Sequence, residues 1–170
     1  MRIFIGSVLA GLLGFLALPH PLSSLSVSSE REEKEEVQSI SDYLIEKRAQ
    51  VISSSFGIEK SEAEVYVYTA YKVALELDAD VDSILALVAV ETGFRNLISP
   101  KKALGHTQIR MKYWAHLFPR EEEVWNPYYS YRAAVLILRE YRGSLRRYSG
   151  GAREYEKRFQ YWYQRFKEAL

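Results

Sequence analysis

A chain of 170 residues has room for one domain plus a leader and can bury a core of ordinary size, whereas two independent domains would be cramped. Lys and Arg total 23 against 22 acidic residues, and setting aside a leader that carries only Arg2 leaves 22 against 22, a neutrality that argues against a nucleic-acid binder. With no cysteine there is neither a disulfide framework nor a Cys-based zinc site, and His20, His106 and His116 have no metal-ligand spacing, so no metal or other cofactor is expected.

Residues 1–18, MRIFIGSVLAGLLGFLAL, carry one positive charge and then an apolar and small-residue run of 16, closed by Pro19. This is the shape of a secretory signal. It falls short of the ~20 apolar residues that comfortably span a bilayer, so a membrane is expected only through an uncleaved leader. Residues 21–29 are Ser-rich and read as a tether, which puts the signal and tether at 1–29 and a single helical domain at 30–170.

After the charge run at residues 30–36, a helix places Val37, Ile40, Leu44, Ile45, Val51 and Ile52 near one face and ends between Ser53 and Gly57. Ser61 and Glu64 form a capping box for a second helix crowded with Tyr66, Tyr68 and Tyr71. The acidic break at residues 78–82 lacks the glycine and distal glutamate of a calcium loop and reads as a helix cap. A third helix runs from Ser83 to about Thr92, with Gly93 as its stop. Residues 111–118 suggest a short helix before Pro119. Asn126 and Pro127 are N-cap and first residue of the longest buried helix, with Tyr131, Ala134, Val135, Leu138 and Tyr141 inward and Gly143 closing it. In the last helix Tyr155, Phe159, Trp162 and Phe166 recur at helical spacing. No alternating pattern of useful length occurs, so the expected fold is all-α.

One residue in this order is out of place. Glu91 follows the apolar run Leu85-Ala86-Leu87-Val88-Ala89-Val90 at a helix C-terminus, where the macrodipole opposes negative charge. The dipole supplies ~0.3–1 kcal/mol, under one pKa unit, so poising a glutamate near 6–7 as a general acid needs apolar surroundings as the larger contribution. On helix position alone, a terminal-turn glutamate facing water or paired with Arg95 explains the same placement.

The wider pattern favours chemistry. Glu91-Thr92-Gly93-Phe94, a loop with Ser99-Pro100, then Ala103-Leu104-Gly105-His106-Thr107-Gln108-Ile109, and later the turn Tyr148-Ser149-Gly150-Gly151 together resemble the catalytic domain of the soluble lytic transglycosylases, relatives of goose-type lysozymes. The resemblance covers residues 81–163. It implies a lysozyme-like helical domain in which Glu91 is the catalytic acid and base, and Thr92, His106, Gln108, Tyr148 and Ser149 bound the substrate site. The family's G-L-M-Q turn survives as Gly105-His106-Thr107-Gln108, with Thr107 replacing Met beside the acid. Its Y-N-A-G turn keeps Tyr148, which in the family faces the glutamate, while Ser149 replaces Asn. Some of Tyr113, Trp114, Trp125, Tyr128, Tyr129, Tyr161 and Tyr163 could floor a sugar groove, although most rings in a helical domain fill core.

The implied reaction cleaves the bond between N-acetylmuramic acid and N-acetylglucosamine and closes a 1,6-anhydromuramoyl ring with one carboxylate. A two-carboxylate hydrolase would need a second acid, for which Asp78, Asp80, Asp82 and residues 121–123 are candidates without a supporting motif. The expected partner is therefore the peptidoglycan glycan strand, met after export to the periplasm or cell envelope. A local wall-opening role beside a cell-envelope assembly is a further expectation. The altered turn positions also admit a catalytically inactive wall-binding or scaffold protein, and the same constellation admits a goose-type muramidase.

Overall fold

The computed structural model describes the backbone of residues 22–170 and the side chains of residue 31 and residues 34–170. The leader expected over residues 1–18 lies outside the described residues. The chain divides into two units, Met1–Gln38 and Ser39–Leu170. The described chain is mostly helical, with seven α-helices and one two-stranded sheet. Among the described residues no helix is long and apolar enough to cross a membrane.

Helix α1 spans Leu22–Phe56. Residues 22–29, read from composition as a tether, are therefore helical; no Gly or Pro interrupts residues 22–56, and serine is only mildly unfavourable within a helix. Its inward stripe begins later than periodicity suggests. Val37 and Ile40 are exposed, whereas Ala49 and Ile52 are fully buried. Gly57, with φ +67°, ends the helix.

Helix α2 spans Lys60–Leu77 and has Glu59 at its N-cap. The capping box expected at Ser61 does not form, because the Ser61 hydroxyl donates to Glu59 Oε2 at 2.5 Å. Helix α3, Val81–Glu91, starts two residues earlier than the sequence suggests, since Asp80 accepts from the amides of Asp82 and Ser83. That leaves Asp82 inside the helix. Its carboxylate is buried and receives Arg48 Nε at 2.7 Å and Nη2 at 3.1 Å, while Arg48 Nη1 donates to Tyr71 at 2.8 Å.

Residues Ile84, Leu85, Ala86, Leu87, Val88, Ala89 and Val90 are all buried, so α3 is apolar all round and forms the centre of the unit. One face joins Ile52 of α1, Val67 and Val73 of α2 and Phe166. The other, Ala86, Leu87 and Val90, meets Ala134, Tyr155 and Phe159. Each large aliphatic side chain removed from water contributes about 1.5–3 kcal/mol, which fixes the position of the residue that ends the helix. That residue is Glu91. The amides of Thr92 and Gly93 both donate to the Val88 carbonyl, and Gly93 has φ +60° and lies against the Phe56 ring, where a Cβ would collide.

A short antiparallel pair follows, β1 (Leu97–Ile98) against β2 (Leu104–Gly105), with Leu97 opposite Gly105 and Ile98 opposite Leu104. Two-residue strands leave no room for the alternation by which a strand is recognised in sequence. Then come α4 (Met111–Trp114), two 3-10 turns at Ala115–Leu117 and Glu121–Trp125, and α5 (Pro127–Glu140), capped by Asn126 as expected. At 14 residues α5 is shorter than the 18 of α2, so it is not the longest buried helix. Helix α6 (Leu145–Tyr148) leads through the glycine turn to α7 (Tyr155–Lys167), which buries Tyr155, Phe159 and Phe166. Helix α7 packs chiefly on α3, and α5 packs on α2 and α3.

Candidate active site

Glu91 opens into a cleft of about 530 Å³. The end of α3 supplies Val90 and Glu91, the β-hairpin and its exit supply Gln108 and Arg110, α4 supplies Tyr113 and Trp114, and the α6 turn and α7 supply Tyr148, Ser149 and Tyr155. Among the described lining residues Glu91 is the sole carboxylate.

The chemistry of that carboxylate follows from its surroundings. Burial at the apolar end of α3 pushes its pKa up to about 7, against a hydrogen bond from Tyr155 and the nearby Arg158 cation, which both favour the ionised form. Tyr155 donates to Glu91 Oε1 at 2.6 Å. Arg158 donates to the Val90 carbonyl at 2.6 Å rather than to the carboxylate. Arg95 is not the partner of Glu91; it donates to the Phe56 carbonyl at 3.3 Å. A group poised near 7 can both give and take a proton at neutral pH.

The residues expected around Glu91 fall into two sets. Gln108, Tyr148 and Ser149 line the cleft with it. Gln108 adopts φ +53° and donates from Nε2 to the Leu97 and Gly105 carbonyls, each at 3.1 Å, which ties the turn to the hairpin. Gly105 permits this turn at φ +75°, and a Cβ there would run into the Val124 carbonyl oxygen. Ser149 donates to the Arg146 carbonyl at 3.2 Å.

Thr92 and His106 lie behind the cleft rather than in it. Thr92 is buried and donates to the His106 carbonyl at 2.8 Å, tying the end of α3 to the Gly105 turn. His106, expected to line the cleft beside Gln108, is only 1% exposed. Its Nδ1 lies 3.3 Å from the Tyr131 hydroxyl and its ring meets Tyr66 edge-on, while Nε2 has no hydrogen-bond partner. Burial pushes its pKa down to about 4, so it is a neutral core residue at physiological pH.

Tyr148 is in the cleft, but its hydroxyl donates to the Thr107 carbonyl at 3.0 Å, and Tyr155 makes the direct contact with Glu91. Sequence reading placed Tyr155 in an apolar stripe and missed this role. Tyr155 is the first residue of α7, at the head of a stripe that a periodicity argument treats as core. Thr107, expected beside Glu91, does not present its hydroxyl to the cleft. Thr107 is fully buried, and its Oγ1 lies 2.8 Å from Ser130 Oγ and donates to the Ser130 carbonyl at 3.0 Å.

Of the rings considered for a sugar floor, Tyr113 and Trp114 line the cleft, whereas Trp125, Tyr128, Tyr129, Tyr161 and Tyr163 do not. None of the candidate second acids lines it either: Asp80 caps α3, Asp82 pairs with Arg48, and Glu123 pairs with Arg120. Among the described residues no cluster of three or more His, Cys, Asp or Glu side chains is placed to hold a metal ion.

No family model matches this chain, and no curated protein or solved structure is detectably similar to it.

Proposed function

We propose that the chain is an exported peptidoglycan lytic transglycosylase with a lysozyme-like domain, in which Glu91 serves in turn as acid and base. The observation that carries the reading is a single carboxylate raised to about 7 by burial, in a cleft that also holds Tyr148, Gln108, Tyr113 and Trp114. Protonated Glu91 gives its proton to the oxygen leaving muramic acid C1 as the glycosidic bond breaks, and the muramoyl N-acetyl group assists from the opposite side. The resulting carboxylate takes the C6 hydroxyl proton, O6 bonds to C1, and the 1,6-anhydro ring closes without water. Tyr155 keeps the carboxylate oriented through both steps.

One acid suffices for this sequence of steps. A hydrolase of the two-carboxylate type needs a second acid within ~5–9.5 Å, and Glu91 is alone among the described cleft residues. The inactive wall-binding reading was motivated by the altered turn positions; the pairing of Thr107 with Ser130 weakens that motive. A muropeptide mass spectrum after digestion with wild type and with Glu91→Gln tests all three. Anhydromuramoyl ends that vanish in the variant are expected. Products heavier by one water would mean hydrolysis, and sedimentation with peptidoglycan without any product would mean a binding protein.

A further inference from the structure

The cleft is markedly cationic. Lys101 from the hairpin turn, Arg110 from the segment before α4, Arg147 from α6 and Arg158 from α7 line it against one acid, Glu91. Among the described residues none of these four forms an ion pair with a carboxylate. Elsewhere on the described surface some cations are paired, Lys60 with Glu46, Arg120 with Glu123 and Arg132 with Glu76, and others are not, so what sets the cleft apart is the convergence of four cations on one concave wall. A neighbouring pocket that shares Ala152 and Tyr155 with the cleft holds Arg146, Arg153 and Lys157 together with Glu154 and Glu156, and Lys157 pairs with Glu154 at 3.2 Å.

Four separate elements thus bring like charge to one concave surface in a chain whose net charge is +1. A solvated helix face does not explain this, because the charges do not share a helix. Gathering them costs self-repulsion that an anionic ligand offsets, and a concave low-dielectric wall focuses their field. Tyr113 and Trp114 on the same cleft offer flat faces for sugar rings.

We propose that these cations recognise carboxylates carried by the glycan, those of the peptide stems, so that the cleft prefers stem-bearing strands to strands whose stems are neutralised or removed. This rests on the reading of Glu91 as a glycan-cleaving acid. Carboxylates on a strand have two sources: the stem peptides, and the muramoyl lactyl group that is freed when a stem is cut away.

Three substrates separate these sources: intact strands, the same strands with stem carboxylates converted to amides, and strands stripped of stems by an amidase. At low salt kcat/KM on intact strands is expected to exceed that on amidated strands about tenfold, from several exposed charge contacts, and the gap narrows as salt rises. In a Lys101→Gln/Arg110→Gln/Arg147→Gln variant the intact-to-amidated ratio falls toward one; Arg158 is left in place because it holds the Val90 carbonyl. Equal rates on intact and amidated strands would overturn the proposal, as would stripped strands cleaved as fast as intact ones. Inhibition by a single-stranded oligonucleotide as strong as that by free stem peptide would overturn it in favour of a nucleic-acid groove. Co-sedimentation of Glu91→Gln protein with the same three preparations reads the preference without chemistry. Absence of any cleavage product with the preference intact would therefore strike the enzymatic reading alone.

Discussion

The Tyr155 hydroxyl lies 2.6 Å from Glu91 Oε1 and ties the end of α3 to the start of α7 across 64 positions of sequence. Burial of the same carboxylate pulls its protonation equilibrium the other way, and burial is the larger effect, leaving the group near 7. The site is therefore a balance between an apolar wall on one side and a phenol and a nearby cation, Tyr155 and Arg158, on the other. Each side of the balance can be altered separately.

Replacing Tyr155 by Phe removes a hydrogen bond that favours the carboxylate, so the Glu91 pKa rises further. In the proposed reaction bond cleavage uses protonated Glu91, so activity is expected to fall as pH rises through about 7 in wild type. In Tyr155→Phe that falling limb moves to higher pH. A pH profile of kcat/KM on isolated glycan strands reads the shift; an unmoved or acid-shifted limb would remove Glu91 as the titrating group.

Glu91→Gln is expected to abolish cleavage and to stabilise the fold at alkaline pH. Folded Glu91 titrates at about 7 and an unperturbed glutamate at 4.5. Between these values the native chain holds the extra proton, so the contribution of Glu91 is fully present below 4.5 and is lost as pH rises through 7. The loss is on the order of 3 kcal/mol for a mostly buried group. Urea unfolding at pH 5 and pH 8 should show the variant gaining on wild type between the two, and a constant difference would contradict the raised pKa.

Much of this frame was legible in the sequence because it depends on local rules. The apolar run of α3, the Asn126 cap, the Gly93 and Gly143 stops and the α7 stripe are each set within a few residues. So was Glu91, as a charge at the wrong end of an apolar helix. The long-range pairs were not legible. Tyr155 with Glu91, Thr107 with Ser130 and Arg48 with Asp82 depend on how helices are apposed, and none has a sequence spacing that announces it. For His106 a polar turn contact and a place in the cleft wall are both compatible with the sequence, and the choice is long-range too: the Gly105 turn folds it inward against Tyr66 and Tyr131.

The Arg48–Asp82 pair joins α1 to the start of α3 with both side chains almost fully buried. Removing one partner leaves the other charged and unpaired out of water, which costs about 3–5 kcal/mol. Asp82→Ala is therefore expected to be severely destabilising, and Arg48→Met/Asp82→Leu to recover much of the loss because neither charge remains. Chemical denaturation of the two proteins measures this. A double variant as unstable as the single one would show that the geometry of the pair, including Tyr71, matters more than its charge.

Thr107→Met is expected to harm this chain. Thr107 is fully enclosed, and its hydroxyl and amide both lie within hydrogen-bonding distance of Ser130 Oγ. A methionine there overpacks the contact, at about 1–3 kcal/mol, and removes the Thr107 hydroxyl that pairs with the Ser130 hydroxyl and carbonyl, at about 1 kcal/mol or more. Ser130→Ala in the same background makes room, so the pair of changes should recover part of the loss. The Thr107 carbonyl accepts the Tyr148 hydroxyl, so displacement of this turn also reaches the cleft wall, and activity should fall together with stability. Thermal unfolding of the single and double variants, read beside their glycan cleavage, tests the coupling. Full stability in Thr107→Met alone would show that Thr107 and Ser130 are not a matched pair.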